Sequence, residues 1–265
     1  MKGENVFSSI SFRRSLCLFA LALVPALSAD LQAATKIDFS FEDDGVTPLL
    51  NGQAIDQNEE FGVLFEILSA GPNAGAAIFD STPGLNPADP DLWVGLGNIL
   101  ILQNNNGGAG AMTGDFFNTP NDEPDGINTL IFNFFEPVTL EAIDLIDVDQ
   151  NGPVTVTLAD SQGRERVYFV PASWTYDIAE NNLPPMAKGW DTLILSTLMD
   201  QPGEGGSVAT ASEAAGFDAA DVVQMTIDID GSGAVDNLVF VPEPSSALLL
   251  IAGATLTLRR RRRRN

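Results

Sequence analysis

Two acidic loops in the second half of the chain carry the residue types that bind a hard metal cation. The first, Asp147 to Gly152, places Asp147, Asp149 and Asn151 on alternate positions and then a glycine, as the start of a calcium-binding loop does. The second, Asp228 to Gly233, is similar. Neither loop is an EF-hand, because Leu158 and Val239 occupy the twelfth positions, where a bidentate glutamate belongs.

Calcium is the cofactor that these loops predict. Oxygen ligands suit hard cations, and Glu42 near the first predicted strand could face Asp236 in the last one. Hairpin turns are the alternative interpretation, since Asp, Asn and Gly are favoured there for backbone reasons. The predicted metal ligands are Glu42, Asp147, Asp149, Asn151, Asp228, Asp230 and Asp236.

Most enzymatic chemistry is excluded by composition. The chain has no histidine, and its one cysteine, Cys17, lies in an apolar N-terminal run. A Ser-His-Asp triad, a Cys-His pair and a histidine-bound zinc are therefore all impossible. The loop Asn106 to Gly110 is glycine-rich but lacks the lysine of a phosphate-binding loop. We predict a protein that is not an enzyme; a carbohydrate-active enzyme that uses two carboxylates is the alternative.

Aromatic residues offer a second kind of site. Trp174 and Tyr176 are two positions apart, so on a strand their side chains share one face. An exposed pair of this kind would stack on sugar rings, whereas packing in the core is the other interpretation. We retain both residues as candidates for carbohydrate stacking.

The charge distribution excludes nucleic acids as partners. Residues 35–241 hold 33 of the 36 acidic residues but only four of the 13 basic ones, Lys36, Arg164, Arg166 and Lys188. Such a surface repels phosphate backbones. It also keeps copies of the protein apart and in solution.

Residues 36–241, which must position these side chains, have the sequence pattern of an all-β fold. Short apolar runs alternate with turn signals, and Val154, Val156 and Leu158 show the period of two typical of a half-buried strand. Only Ser212 to Ala220 has a helical pattern. We predict an antiparallel β-sandwich of jelly-roll type, because crossover helices for a parallel sheet are missing. The predicted strands are 36–42, 61–68, 76–79, 99–103, 128–135, 139–148, 154–158, 166–170, 191–196, 222–229 and 234–241.

The N-terminus has the three parts of a secretory signal peptide. Arg13 and Arg14 precede the apolar run Leu16 to Leu27, and small residues follow up to Ala34. We predict cleavage after Ala33 or Ala34, so residues 1–34 would be removed on export. The exported protein would then contain no cysteine and no disulfide.

The C-terminus has a different signal. Pro242, Glu243 and Pro244 precede the apolar run 247–258, and a basic cluster ends the chain: Arg259, Arg260, Arg261, Arg262, Arg263 and Arg264. The run is short for a membrane span, although arginine stems can lengthen it, and the arginines would remain cytoplasmic.

This order closely resembles the PEP-CTERM sorting signal of Gram-negative bacteria, over about 25 residues (241–265). The resemblance implies a short hydrophobic helix that holds the chain transiently in the inner membrane. It also implies that a membrane-embedded exosortase recognises the tail and cleaves near the Pro-Glu-Pro element. The export machinery and the exosortase are therefore the expected partners.

Residues 35–240 look like the β-sandwich ectodomains found ahead of such tails. The stretches that carry this likeness are Ala77 to Ser81, Asp89 to Leu92, Gly97 to Ile101 and Gly231 to Leu238. The resemblance implies a binding or structural module at the cell envelope or surface, associated with exopolysaccharide or the extracellular matrix. A calcium-dependent adhesin is a further alternative. The predicted organisation is a signal peptide (1–34), an acidic ectodomain (35–240) and a sorting tail (241–265).

Overall fold

The computed structural model describes residues 33–55, 60–71, 74–86, 89–105, 108, 110–122, 126–148, 152–175 and 189–243. These residues belong to one compact unit, Gln32–Asn265. The signal peptide predicted for residues 1–34 lies almost wholly outside them, as do Pro244, the apolar run and the arginine cluster. No helix among the described residues is long and apolar enough to cross a membrane.

The described residues form an all-β antiparallel sandwich. The strands are β1 (Thr35–Ile37), β2 (Ala54–Ile55), β3 (Phe65–Ala70), β4 (Ala74–Asp80), β5 (Asn98–Asn104), β6 (Met112–Thr113), β7 (Phe116–Phe117), β8 (Ile127–Ile146), β9 (Val154–Asp160), β10 (Glu165–Val170), β11 (Trp190–Ile194), β12 (Gln201–Pro202), β13 (Val208–Glu213), β14 (Val222–Asp230) and β15 (Ala234–Pro242). Every pairing between them is antiparallel. The predicted all-β, sandwich-like fold class is confirmed.

Strand β8 joins the two halves of the fold. Its first part pairs with β14 and β3, and its second part pairs with β15 and β11. The first half continues in the order β14-β9-β10-β13-β12, and the second in the order β15-β5-β4-β2, with β1 also on β15. The change of partner falls at Phe135 to Pro137, where the register against β14 shifts. Because proline has no N–H to donate to a neighbouring strand, it fits at a position where the strand pairing is irregular.

One apolar core lies between the halves. In β9 the burial alternates along the strand, so Val154, Val156 and Leu158 point into this core as the sequence predicted. Phe65 of β3 is fully buried and packs against Phe132 of β8 and Phe240 of β15. The core therefore holds strands of both halves together.

A second apolar cluster lies on the outer face of the β5–β15 half. It contains Phe79, Ile101, Phe117 and Ile146, with Trp93 packed against it. Both connections flanking β5 contribute to this cluster, since Leu92 precedes the strand and Phe117 follows it. Strand β5 is consequently buried on both faces.

The helix predicted for Ser212 to Ala220 is wrong. Ser212 and Glu213 belong to β13, which pairs with β10, and no helix occurs among the described residues. Gly216 has a φ of +82°, which ends any right-handed helical turn at that point. Pairing in the sheet thus outweighs the helical propensity of a short alanine-rich segment.

Candidate functional site

Four segments that are distant in sequence bring buried carboxyl groups together. Asp89 and Asp91 come from the β4–β5 connection, and Asp122 comes from the β5–β8 connection. Asp147 follows β8 directly. Ser232 lies in the tight turn between β14 and β15. We call these five residues the aspartate cluster.

Asp122 is the centre of the aspartate cluster. Its backbone N–H donates to Asp89 Oδ2 over 2.9 Å. Its own Oδ2 accepts a hydrogen bond from the Gly233 N–H at 2.7 Å and lies 2.8 Å from Ser232 Oγ. The same hydroxyl is 2.6 Å from Asp147 Oδ2. Ser232 thus links the carboxyl groups of Asp122 and Asp147.

The turn that supplies these donors has an unusual backbone. Gly233 has a φ of +156°, and a Cβ there would lie 3.1 Å from a side-chain carbon of Ile229. Asp147 is also in the left-handed region, with a φ of +55°, which Asp tolerates better than most residues. Its N–H donates to Gly189 O over 3.0 Å. These backbone conformations direct the β14–β15 turn and the residues after β8 towards Asp122.

Burial dominates the electrostatics of the aspartate cluster. Asp89, Asp122 and Asp147 are 2%, 0% and 1% exposed. Burial, aided by the neighbouring charge of Asp122, raises the pKa of Asp89 to about 7. Burial also raises the pKa of Asp122 to about 6, although hydrogen bonds from Asp89, Ser232 and Gly233 favour its charged form.

Two ion pairs between described residues lie on the β9–β10 side of the fold, where Arg164 pairs with Asp160 and Arg166 pairs with Glu213. The described residues also contain no ready-made group of three or more Asp or Glu side chains that could hold a metal ion. The aspartate cluster is acidic and buried. Its carboxyl groups lie close to one another, and those of Asp122 and Asp147 contact the Ser232 hydroxyl.

The structure places the predicted calcium ligands in several different environments. Asp147 belongs to the aspartate cluster, whereas Asp149 and Asn151 lie outside the described residues. Asp228 lies on β14 and accepts a hydrogen bond from Thr129 Oγ1 at 2.6 Å. Asp230 lies at the end of the same strand, next to Gly152, where a Cβ would meet its carboxylate at 2.2 Å.

Glu42 and Asp236, which we expected to face each other, each have contacts within their own part of the fold. The Glu42 N–H donates to Thr47 O over 2.9 Å within a surface turn. Asp236 lies opposite Asp144 of β8 and is 1% exposed. Burial, with smaller effects of Asp144 and Asp38, raises the pKa of Asp236 to about 8 against the opposing influence of the Asn237 N–H and Lys36. Sequence reasoning did not foresee this second buried acidic site.

Trp174 is not available for stacking on a sugar. It is 0% exposed, and its indole N–H donates to Gln201 O over 3.0 Å. The core interpretation is therefore correct for Trp174, because the surrounding strands bury its ring and satisfy its only polar group. Tyr176 lies outside the described residues.

Of the sorting motif, Pro242 and Glu243 are described. Pro242 is the last residue of β15 and lies opposite Val138 of β8. The Glu243 N–H donates to Pro137 O over 3.0 Å, and its Oε1 accepts a hydrogen bond from Thr139 Oγ1 at 2.6 Å. The first two residues of the Pro-Glu-Pro element are thus bound to β8 at the end of β15.

Comparisons with known proteins add little to this description. Neither a protein-family model nor a curated protein sequence matches the chain. One solved structure with weak similarity is an agarase, AgWH50C, with 12% sequence identity and a TM-score of 0.28. The similarity covers 44% of this chain and 19% of the agarase chain. A likeness of this size carries no argument about fold or function.

Proposed function

We propose that the chain is an exported surface protein without enzymatic activity, an acidic β-sandwich delivered to the cell envelope by its C-terminal sorting tail. The observation that carries the proposal is the order of Pro242, Glu243, Pro244, the apolar run and the arginines, immediately after the last strand. An exosortase-type peptidase of the inner membrane would process this tail. The ectodomain would then act in the extracellular matrix, next to exopolysaccharide.

The contacts of Glu243 support the assignment of the tail. Because β15 ends at Pro242 and Glu243 is bound to Pro137 and Thr139, the sandwich is complete before Pro244. A peptidase acting beyond Glu243 could therefore remove the tail without unfolding β15. The folded domain would keep every strand described above.

The acidic surface supports a role outside the cell better than a role in catalysis. With 33 acids and four bases between residues 35 and 241, copies of the domain repel one another and remain soluble. Asp89 and Asp122 are neighbouring carboxyl groups with raised pKa, but both are buried. A glycosidase needs two carboxyls that a sugar can reach. This pair gives the enzymatic alternative no support.

Localisation in the native host tests the proposal. Substitution of Arg259 to Arg264 by glutamine should prevent correct sorting, because the positive cluster fixes the tail in the membrane. We expect the wild-type chain in the surface fraction and the substituted chain elsewhere, as measured by fractionation and immunoblotting. Arg164→Gln, which removes a base from the folded domain, is the matched control and should sort normally.

Two results would contradict the proposal. Surface delivery of the arginine-substituted chain at the wild-type level would show that the tail is not a sorting signal. Release of reducing sugars from a polysaccharide, abolished by one Asp or Glu substitution, would show that the ectodomain is an enzyme. A glycan array with and without calcium would then identify the binding partner if neither result is obtained.

A further inference from the structure

We propose that the aspartate cluster is a pH-sensitive switch, in which protons shared between its side chains hold four segments of the fold together and loss of these protons releases them. The segments are the β4–β5 connection, the β5–β8 connection, the residues that follow β8 and the β14–β15 turn. The proposal concerns the folded domain alone and does not depend on how the tail is processed.

The first argument is the contact between carboxyl groups. The side chains of Asp89 and Asp122 are hydrogen-bonded to each other, and the Asp122 N–H donates to Asp89 Oδ2 over 2.9 Å. Ionised carboxylates have only acceptors, so a hydrogen bond between two carboxyl groups requires that one of them holds a proton. Asp89 is also hydrogen-bonded to the side chain of Asp91, and this bond needs a proton for the same reason.

The second argument is the number of protons at Ser232. Its Oγ lies 2.8 Å from Asp122 Oδ2 and 2.6 Å from Asp147 Oδ2. A hydroxyl group carries one proton, so it donates to one of the two carboxyl groups and accepts a proton from the other. The Ser232 hydroxyl therefore bridges both side chains only while a carboxyl group beside it is protonated.

The surroundings of the Asp89–Asp122 pair favour the protonated form. The two residues are 2% and 0% exposed, so burial raises the pKa of Asp89 to about 7 and that of Asp122 to about 6. Among the described residues, the charged groups that face the pair are acids as well, Asp91 in the β4–β5 connection and Asp147 after β8. The β14–β15 turn contributes a hydroxyl and an N–H, which carry no charge, and β5 has no titratable side chain.

The direction of the switch follows from the proton content of its two states. When the connections open, water reaches the carboxyl groups and their pKa returns towards the ordinary 3.8. The closed state holds more protons than the open state, so closure is fully favoured at low pH and is lost as the pH rises from about 4 to about 7. Above this interval the closed state would contain two adjacent buried carboxylates without a shared proton, which desolvation and repulsion make costly.

Opening would affect the outer face of β5. Leu92 lies in the β4–β5 connection and Phe117 in the β5–β8 connection, and both belong to the second apolar cluster. Release of the aspartate cluster would therefore loosen the apolar cover of β5 above about pH 7, and acid would restore it.

Hydrogen exchange of the full chain at pH 5 and pH 8, with a chelator present, tests the proposal. Mass spectrometry measures the protection of the peptides that contain the Asp122 and Gly233 amides, because both amides donate to carboxyl groups of the cluster. After correction for the intrinsic effect of pH on exchange, protection should fall by at least about 100-fold in the wild-type chain. This value follows from the roughly two pH units between pH 5 and the pKa of Asp89, which is about 7.

The variants separate ionisation of the cluster from other effects of pH. Asp89→Asn keeps an oxygen that can accept the Asp122 N–H but does not ionise, and should reduce the change to about 10-fold or less. Asp122→Asn should also show a smaller change than wild type and provides the comparison if Asp89→Asn does not fold. Asp115→Asn removes an exposed carboxyl group from the same connection as Asp122 and should keep the wild-type change. A wild-type change no larger than that of Asp89→Asn, or an equal loss of pH dependence in Asp115→Asn, would overturn the proposal.

Discussion

Substitution of Asp236 by asparagine should make the folded chain more stable at pH 8 and leave its stability near pH 4 almost unchanged. Asp236 is buried beside Asp144 and Asp38, and burial raises its pKa in the folded protein from the ordinary 3.8 to about 8. The folded state therefore holds a proton that the unfolded state has released, throughout the interval between these values. Stability must fall as the pH rises through this interval.

The amide of asparagine has the shape of the carboxyl group but does not ionise. The substitution therefore removes the free-energy cost of ionising a buried carboxyl group. We expect a gain in the free energy of unfolding of at least about 2 kcal/mol at pH 8, from a shift of several pKa units at about 1.4 kcal/mol each. Urea unfolding of both chains between pH 4 and pH 8, with a chelator present, measures the gain.

The control for this experiment is an exposed acid. Asp115→Asn changes the net charge by the same amount at an exposed position, and it should alter stability by less than about 0.5 kcal/mol at every pH. If Asp236→Asn and wild type lose stability in parallel as the pH rises, Asp236 does not carry the pH dependence described here.

The second large effect is expected from Phe65→Ala. The ring of Phe65 lies 5.1 Å from that of Phe61, 5.7 Å from Phe132, 5.6 Å from Phe134 and 6.1 Å from Phe240, centroid to centroid. Removal of a buried ring leaves a cavity and ends these contacts. We expect a loss of about 4 kcal/mol in the free energy of unfolding. A domain with only 5–15 kcal/mol in total, a rough general range, would be severely weakened.

Phe169→Ala is the matched control for this prediction. Phe169 lies on β10 and is 50% exposed, so truncation removes the same atoms without opening a cavity in the core. We expect a loss below about 1 kcal/mol. Comparable urea midpoints for the two variants would mean that Phe65 does not connect β3 with the rest of the core as described.

Much of the fold follows from local sequence patterns. The alternation of Val154, Val156 and Leu158 predicts β9 because strand periodicity needs no knowledge of partners. Strands β2, β6, β7 and β12 have two residues each and are too short to show any period. The predicted break between 135 and 139 is absent, since β8 continues through Pro137. A proline there interrupts one hydrogen bond, whereas the partners on either side keep the strand extended.

The candidate site was harder to predict for a different reason. Asp147 stands in a recognisable motif, but Asp89, Asp122 and Ser232 meet it only through contacts between distant segments. Among 33 acids in residues 35–241, no spacing distinguishes Asp122 from its neighbours. The Asp89-Pro90-Asp91 sequence was the one available signal, because paired acids in a loop are a common source of metal ligands. Topology, rather than periodicity, assembles this cluster.

The mass of the mature protein, isolated from the surface of its native host, tests most directly the claim that the chain is exported and sorted by its tail. We predict a chain that begins after Ala33 or Ala34, retains Glu243 and lacks the apolar run and the arginine cluster. The retained sandwich would then include all of β15. A surface-derived chain that still contains residues 245–265 would contradict the account.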